Sequence, residues 1–239
     1  QGIKMPRIRN LYDPESVSPY RLSRTKLENF LKCPRCFYLD RRLGVGQPPG
    51  FPFNINSAVD ELLKREFDEC RSKGVAHPYM VDAGIKAVPA NHSDLDQWRK
   101  NFVGVSYLHP ATNFEVFGAI DDLWLTEGGE YLVVDYKATA KKDEVNLDAD
   151  WQISYKRQME IYQWLLRKNG LPISNRGWFV YCNGKRDLDR FNNKVEFKVS
   201  LLPYDGNDDW VETALIEAKE TLNRSDLPLA DENCDFCTY

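Results

Sequence analysis

Residues 114–139 read FEVFGAIDDLWL, then TEGGE, then YLVVDYKAT: two apolar runs on either side of a glycine turn. Long aliphatic and aromatic runs broken by such a turn predict a β-hairpin. Side chains alternate faces along a strand, so Asp135 and Lys137 project from the same face of the second run. With the turn centred on Gly128, Asp121 falls opposite Asp135 and Ala119 opposite Lys137. A slip of one residue would substitute Asp122 for Asp121. Two opposed carboxylates repel and weaken a strand pair. A divalent cation between them reverses that sign, because hard cations take carboxylate oxygens. Two aspartates and a lysine on neighbouring strands therefore fit a metal-dependent hydrolytic site. The other reading of the same spacing is a strand-end ion pair in solvent. Against it stands the apolar run Tyr131–Val134, which carries the strand into a core.

Outward from the hairpin, Ser23 can cap a helix with apolar positions Leu27, Phe30 and Leu31. Pro34 interrupts or restarts it, and the run continues to Gly44; residues 45–53 read as a loop. Residues 57–74 form a strong helical pattern with Val59, Leu62, Leu63, Glu66 and Phe67 on one side and Gly74 as a stop. A short helix is expected over Leu95–Asn101. The stretch WQISYKRQMEIYQWLLRKNG, 151–170, is the best helix and is closed by Gly170. GWFVYC and KVEFKVSLL give two more strands about a turn at Asn183–Gly184, and an acidic helix spans about 208–223. The layout is α/β, a central mixed sheet with helices around it. One domain is expected over 1–239: a helical region with one cysteine pair (1–56), a core (57–203) and an acidic tail with the other pair (204–239).

The 42% apolar and 13% aromatic content supports a sizeable core and argues against disorder. No stretch approaches the roughly 18 apolar residues of a membrane helix. The opening QGIKMPRIRN carries no apolar signal core, so a cytoplasmic, non-membrane protein is expected. The net charge of −4 conceals an asymmetry. Residues 1–48 hold ten Lys/Arg against four Asp/Glu, whereas residues 204–239 hold two against ten. A basic front is compatible with local phosphate binding and equally with solvated faces. His77, His92 and His109 are too scattered for ligand spacing and are read as surface residues. Trp151, Tyr155 and Trp164 are read as core or its rim.

Four of the six cysteines form two C-x-x-C pairs, Cys33/Cys36 and Cys234/Cys237. Without secretion signals, such pairs read as a metal site rather than a disulfide framework. Four thiolates satisfy either zinc or an iron–sulfur cluster, and spacing does not choose between them. Cys70 and Cys182 read as small hydrophobes. A thiol redox protein is a distant alternative, since it leaves the carboxylates unexplained.

These residues carry a resemblance. GAIDD followed by VVDYKAT resembles the active-site core of the PD-(D/E)xK nuclease superfamily, in particular its RecB-like branch. That branch has Gly-x-x-Asp on one strand, matched by Gly118 and Asp121, and Asp-x-Lys on the next, matched by Asp135 and Lys137. It continues with Gln-x-x-x-Tyr on a helix, matched by Gln158 and Tyr162, which four-residue spacing puts on one face. A preceding helix usually supplies a histidine ligand; Asp60 stands at that position here. CPRCFYLDRRLG resembles the N-terminal cysteine region of the cluster-bearing CRISPR-adaptation exonucleases and AddB-type helicase–nucleases. Their division is one cysteine before the core and three after, whereas here it is two and two.

The resemblance implies a restriction-endonuclease-like core whose termini are joined by a four-cysteine metal site. It implies a Mg²⁺- or Mn²⁺-dependent, exonuclease-like enzyme acting on DNA in repair, recombination or defence, possessing a four-iron four-sulfur cluster, with zinc as the alternative. Asp121, Asp135 and the Tyr136 carbonyl would hold the ion, with Asp60 as a further ligand. Lys137 would orient water, and Gln158 and Tyr162 would steady it. Lys141, Lys142, Lys156 and Arg157 would follow the phosphate backbone, inside a larger repair or CRISPR complex. The competing reading is a catalytically idle nucleic-acid-binding or adaptor protein on the same fold.

Overall fold

The computed structural model describes residues 10–48 and 54–237. The chain divides into two compact units, one of Gln1–Gly50, Leu108–Phe117 and Asp209–Tyr239, the other of Phe51–Tyr107 and Gly118–Asp208. The last residues of the expected 45–53 loop lie outside the described residues.

The second unit holds a five-stranded sheet. Its strands are β2 (Ala87–Pro89), β5 (Asp122–Thr126), β6 (Tyr131–Thr139), β7 (Arg176–Gly184) and β8 (Phe197–Asp205), in the order β2-β5-β6-β7-β8. β6 and β7 run parallel and the other pairs antiparallel, so the sheet is mixed as expected. Pairing of Asp122 with Val134 and Leu125 with Tyr131 is the register that a turn at Gly128 demands. Alternation then sorts β6. Leu132, Val134 and Tyr136 join Leu63 and Phe67 of α3 (Asn54–Lys73), together with Trp124 and Val180, in one apolar cluster. The odd residues Asp135 and Lys137 turn towards α6 (Ile153–Lys168), where Gln158 meets both. Gly177 lets α6 approach β7: a Cβ there would stand 2.5 Å from the Met159 sulfur.

The run 114–125 is not one strand. It breaks after β4 (Phe114–Gly118) and resumes as β5 at Asp122. At the break the Ile120 amide bonds to the Trp98 carbonyl at 3.1 Å instead of continuing the ladder. Trp98 ends α5 (Leu95–Trp98), which is shorter than the expected Leu95–Asn101. Gly104, at φ +64°, lies so close that a Cβ would meet the Gly118 carbonyl oxygen at 2.3 Å. The turn expected at Asn183–Gly184 is also absent: β7 continues through Gly184, which pairs with Phe197. Asn183 uses its amide to accept from the Lys141 N–H at 2.8 Å and to donate to the Lys141 carbonyl at 3.1 Å. Leu62, placed with the core side of its helix, is more than half exposed, while Leu63 and Phe67 are buried. His77 and His109 are buried rather than on the surface. His77 stacks on Phe67 at 4.3 Å, and His109 Nδ1 lies 2.9 Å from the Thr112 hydroxyl.

In the first unit, β1 (Tyr20–Ser23) pairs in parallel with β4. Ser23 caps α1 (Arg24–Lys32), and Cys33 both ends α1 and caps α2 (Pro34–Arg42), with Pro34 at its first turn. Part of the basic front is internal, since Lys26 and Arg41 converge on buried Asp40 at 2.6 and 2.7 Å. α7 (Trp210–Asn223) buries Val211, Leu215 and Leu222. Tyr38 donates to the Arg224 carbonyl at 3.1 Å and Arg35 to the Pro228 carbonyl at 3.1 Å, which leads the tail back along α2. Among the described residues no helix is long and apolar enough to cross a membrane.

Candidate active site and thiolate cluster

The strand break frees Asp121 from the ladder. The Ile120 amide being engaged by Trp98, the Asp121 carboxylate takes the position beside β6 and accepts the Tyr136 N–H at 2.8 Å. Asp121 and Asp135 therefore sit side by side at the end of the hairpin ladder. Burial, and next the Asp135 carboxylate, push the Asp121 carboxyl up to about 7, against the pull of Lys64 and Lys137.

Asp135 is 0% exposed. Its Oδ1 accepts from Gln158 Nε2 at 2.8 Å, while Oδ2 forms an ion pair with Lys137 and receives no hydrogen bond. The Gln158 oxygen accepts from Lys137 Nζ at 3.3 Å, and Gln158 Nε2 also faces the Tyr162 hydroxyl at 3.1 Å. One carboxamide thus ties Asp135, Lys137 and Tyr162 together. The Lys137 ammonium also stands 4.5 Å from the centre of the Tyr155 ring.

Asp60, on α3, is paired with Lys64 at 2.9 Å, and Lys64 lies 3.8 Å from Asp121. Lys64 was not among the expected residues. Its signal was the Asp60–Lys64 spacing of four on a helix, which reads equally as an ordinary surface pair. Asp60, Asp121 and Asp135 do not form a group as tight as the cysteines, the one such group found among the described residues. The residues nevertheless suit a hard divalent ion. The fully buried Asp135 carboxylate has the Lys137 ammonium as its counter-charge, and a second carboxylate, Asp121, beside it resists ionisation; a divalent charge would relieve that repulsion.

Asp122 has another job. It is fully buried and accepts from Arg71 at 2.5 Å, Arg99 at 2.8 Å, the Leu123 N–H at 2.8 Å and the Tyr136 hydroxyl at 2.9 Å. Arg71 and Arg99 also share Asp68.

Of the four basic residues expected to follow a backbone, Lys141 stands 5.0 Å from the Trp151 ring centre, Lys156 5.8 Å from that of Tyr204, and Lys142 is exposed. Arg157 is half-buried on α6. Trp164 is buried, but Trp151 is 50% exposed, edge-on to Tyr155 at 5.2 Å. Lys141 and Lys142 also line a cleft of about 450 Å³ with Lys185, Arg186 and Lys198.

The raised Asp121 carboxyl has a testable consequence for the metal-free protein. Between the ordinary value of 3.8 and about 7, the folded chain keeps a proton that the unfolded chain has lost, so stability falls as pH rises through that window. Asp121→Asn removes this penalty. In EDTA, the variant is expected to melt above the parent at pH 8 and to converge on it near pH 4, as followed by circular dichroism.

In the first unit the four cysteines of both pairs converge. Their sulfurs lie 3.4 Å (Cys33–Cys237), 3.6 Å (Cys36–Cys234) and 3.8 Å (Cys36–Cys237) apart, and ligand atoms of all four fall within 4.8 Å of one another. Burial, and then its cysteine neighbours, raise the Cys36 thiol far above its ordinary value. Cys234 is lowered: against burial, the Phe236 and Cys237 amides favour its thiolate. Cys182 is buried in the core of the second unit and Cys70 is half-buried.

A family model described as "PD-(D/E)XK nuclease superfamily" matches residues 54–239. Among solved structures, that of SSO0001 is similar at 18% identity, covering 87% of this chain and 79% of its own, with a TM-score of 0.38. A search of curated proteins finds no match.

Proposed function

Since the chain belongs to the PD-(D/E)XK nuclease superfamily, we propose that it hydrolyses DNA phosphodiester bonds at the Asp121–Asp135–Lys137 group, as an exonuclease-like, RecB-like enzyme. The observation that carries this reading is the Gln158 carboxamide, which links Asp135, Lys137 and Tyr162 in one network. Helix spacing alone would leave Gln158 and Tyr162 as ordinary helix surface. Their convergence on a buried carboxylate–ammonium pair gives them a shared task.

Asp121, Asp135 and the Tyr136 carbonyl would hold Mg²⁺ or Mn²⁺, with Asp60 available once Lys64 releases it. When bound, the ion supplies polarisation of the phosphate and a water of lowered pKa. Lys137 orients the attacking water and offsets charge that grows on the phosphate oxygens. Gln158 fixes the ammonium by accepting from it and fixes Asp135 by donating to it. Tyr162 sets the orientation of the carboxamide, and the Tyr155 ring, 4.5 Å away, supports the ammonium.

Lys141 and Lys142 lead from the same strand towards solvent and would follow the phosphates, which makes binding salt-sensitive and sequence-tolerant. Beside them, Trp151 offers a half-exposed ring on which an unpaired base can stack. Aromatic stacking is worth about 1–3 kcal/mol per base. Trp151→Ala is therefore expected to weaken binding of a labelled single strand roughly tenfold in EDTA, as read by fluorescence anisotropy. An unchanged Kd would remove Trp151 from the substrate path.

The test of the function is cleavage of end-labelled and internally labelled DNA, single- and double-stranded, with Mg²⁺, Mn²⁺ or EDTA. Metal-dependent loss of the end label ahead of internal cuts is expected. A second reading, an idle binding protein, is favoured by Lys64, whose ammonium pairs with Asp60 and lies near Asp121. Binding without cleavage under every metal condition would select it.

A further inference from the structure

We propose that the four cysteines hold a single tetrahedral zinc ion and not an iron–sulfur cluster. The sizes of the two groups decide between them. Zinc–thiolate bonds of about 2.3 Å in a tetrahedron set neighbouring sulfurs about 3.8 Å apart. The Cys33–Cys237, Cys36–Cys234 and Cys36–Cys237 separations are 3.4, 3.6 and 3.8 Å. A four-iron cube pushes each cysteine outward from its own corner, and its cysteine sulfurs stand about 6 Å apart. All four ligand atoms here lie within 4.8 Å of one another, which leaves no room for the cube. A two-iron cluster fails on the same ground: it draws two sulfurs together at each iron but keeps the two pairs about 6 Å apart. Three close approaches, of 3.4, 3.6 and 3.8 Å, run between the pairs, from Cys33 and Cys36 to Cys234 and Cys237. The four-iron cluster that the family resemblance implies therefore does not fit these residues.

The local backbone agrees with a single ion. Each pair is a C-x-x-C turn, the spacing by which two thiolates of a closed zinc site share one metal. The Cys36 N–H points at the Cys33 sulfur at 3.4 Å, and Cys237 closes its turn on the Cys234 carbonyl at 2.9 Å. Four sulfurs fill a tetrahedron and leave no open position for substrate; Cys33 and Cys36 are buried and Cys234 and Cys237 half-buried. Among divalent ions that accept four thiolates, zinc outranks ferrous iron in affinity and imposes no geometry of its own. The ion would join Cys33–Cys36, at the start of α2, to the tail after α7. Two hydrogen bonds, Tyr38 to the Arg224 carbonyl and Arg35 to the Pro228 carbonyl, also tie the tail to α2. The proposal does not depend on nuclease activity.

The test is metal analysis of the full chain purified without oxygen from cells supplied with both iron and zinc. One zinc per chain, no acid-labile sulfide and no broad absorbance near about 400 nm are expected. Anaerobic incubation with iron, sulfide and reductant should leave the sample unchanged. Cobalt exchanged into the site should give the intense visible bands of a tetrahedral tetrathiolate. Cys237→Ser should lose those bands and become sensitive to protease within 224–237. Because metal content is measured on the parent chain, a variant that fails to fold does not spoil the test. Four irons with matching sulfide, one iron without sulfide, or no bound metal would each overturn the proposal.

Discussion

Asp135→Asn is expected to lower metal-dependent DNA cleavage by at least about a thousandfold while the chain stays folded, a loss of about 4 kcal/mol in transition-state stabilisation. The substitution keeps the shape of a fully buried side chain and the acceptor for Gln158 Nε2. It removes the negative charge that faces Lys137 and, in the proposed mechanism, the ion. Two effects on stability oppose each other. The Lys137 ammonium loses its carboxylate partner, which costs free energy because the site is buried. Asp121, held at about 7 in part by Asp135, loses that repulsion and ionises more easily. Lys137 also keeps the Gln158 oxygen at 3.3 Å and the Tyr155 ring at 4.5 Å. The melting temperature is therefore expected to move by only a few degrees. Single-turnover cleavage with Mn²⁺ and a circular-dichroism melt of the same preparation check both halves. A well-folded variant that cleaves within tenfold of the parent would sink the assignment of Asp135.

The parts of the site that lie close in sequence were legible because local geometry fixes them. A glycine turn sets the register of a hairpin, and alternation then commits Asp135 and Lys137 to one face. Spacing of four on α6 commits Gln158 and Tyr162 likewise. The break after Gly118 was not legible, since a contact with the Trp98 carbonyl decides it. That same contact leaves the Asp121 carboxylate to satisfy Tyr136. Lys64 escaped notice because nothing on α3 says which strand end its ammonium will meet. The buried histidines escaped for a related reason: His77 is placed by stacking on Phe67, whose orientation belongs to the packed core. The cysteine pairs read as a group that could hold a metal, but which ion would suit them turns on sulfur distances that only the folded chain defines.

Asp122→Ala is expected to destabilise the chain by about 3–5 kcal/mol, the range for removing one partner from a buried ion network. Adjacent aspartates thus separate into two roles, and the environment makes the difference. Asp122 is fully enclosed, and its Oδ1 takes two guanidinium groups and its own strand's amide. Its other oxygen takes the Tyr136 hydroxyl, whose ionisation burial and then Asp122 itself suppress. Arg71 reaches on to the Ala90 carbonyl at 2.5 Å and Arg99 to the Asp121 carbonyl at 3.0 Å. The carboxylate therefore anchors α3, the end of β2 and the start of β5 at one point. Without it, two largely buried guanidinium groups face each other with only the half-exposed Asp68 to share. Urea unfolding should show a lower midpoint with an unchanged slope, because the surface exposed on unfolding is the same. Asp121→Asn, by contrast, should unfold no earlier than the parent at pH 8 in EDTA and should lose metal-dependent cleavage. If Asp122→Ala proved as stable as the parent and Asp121→Asn remained active, the two roles would have to be exchanged.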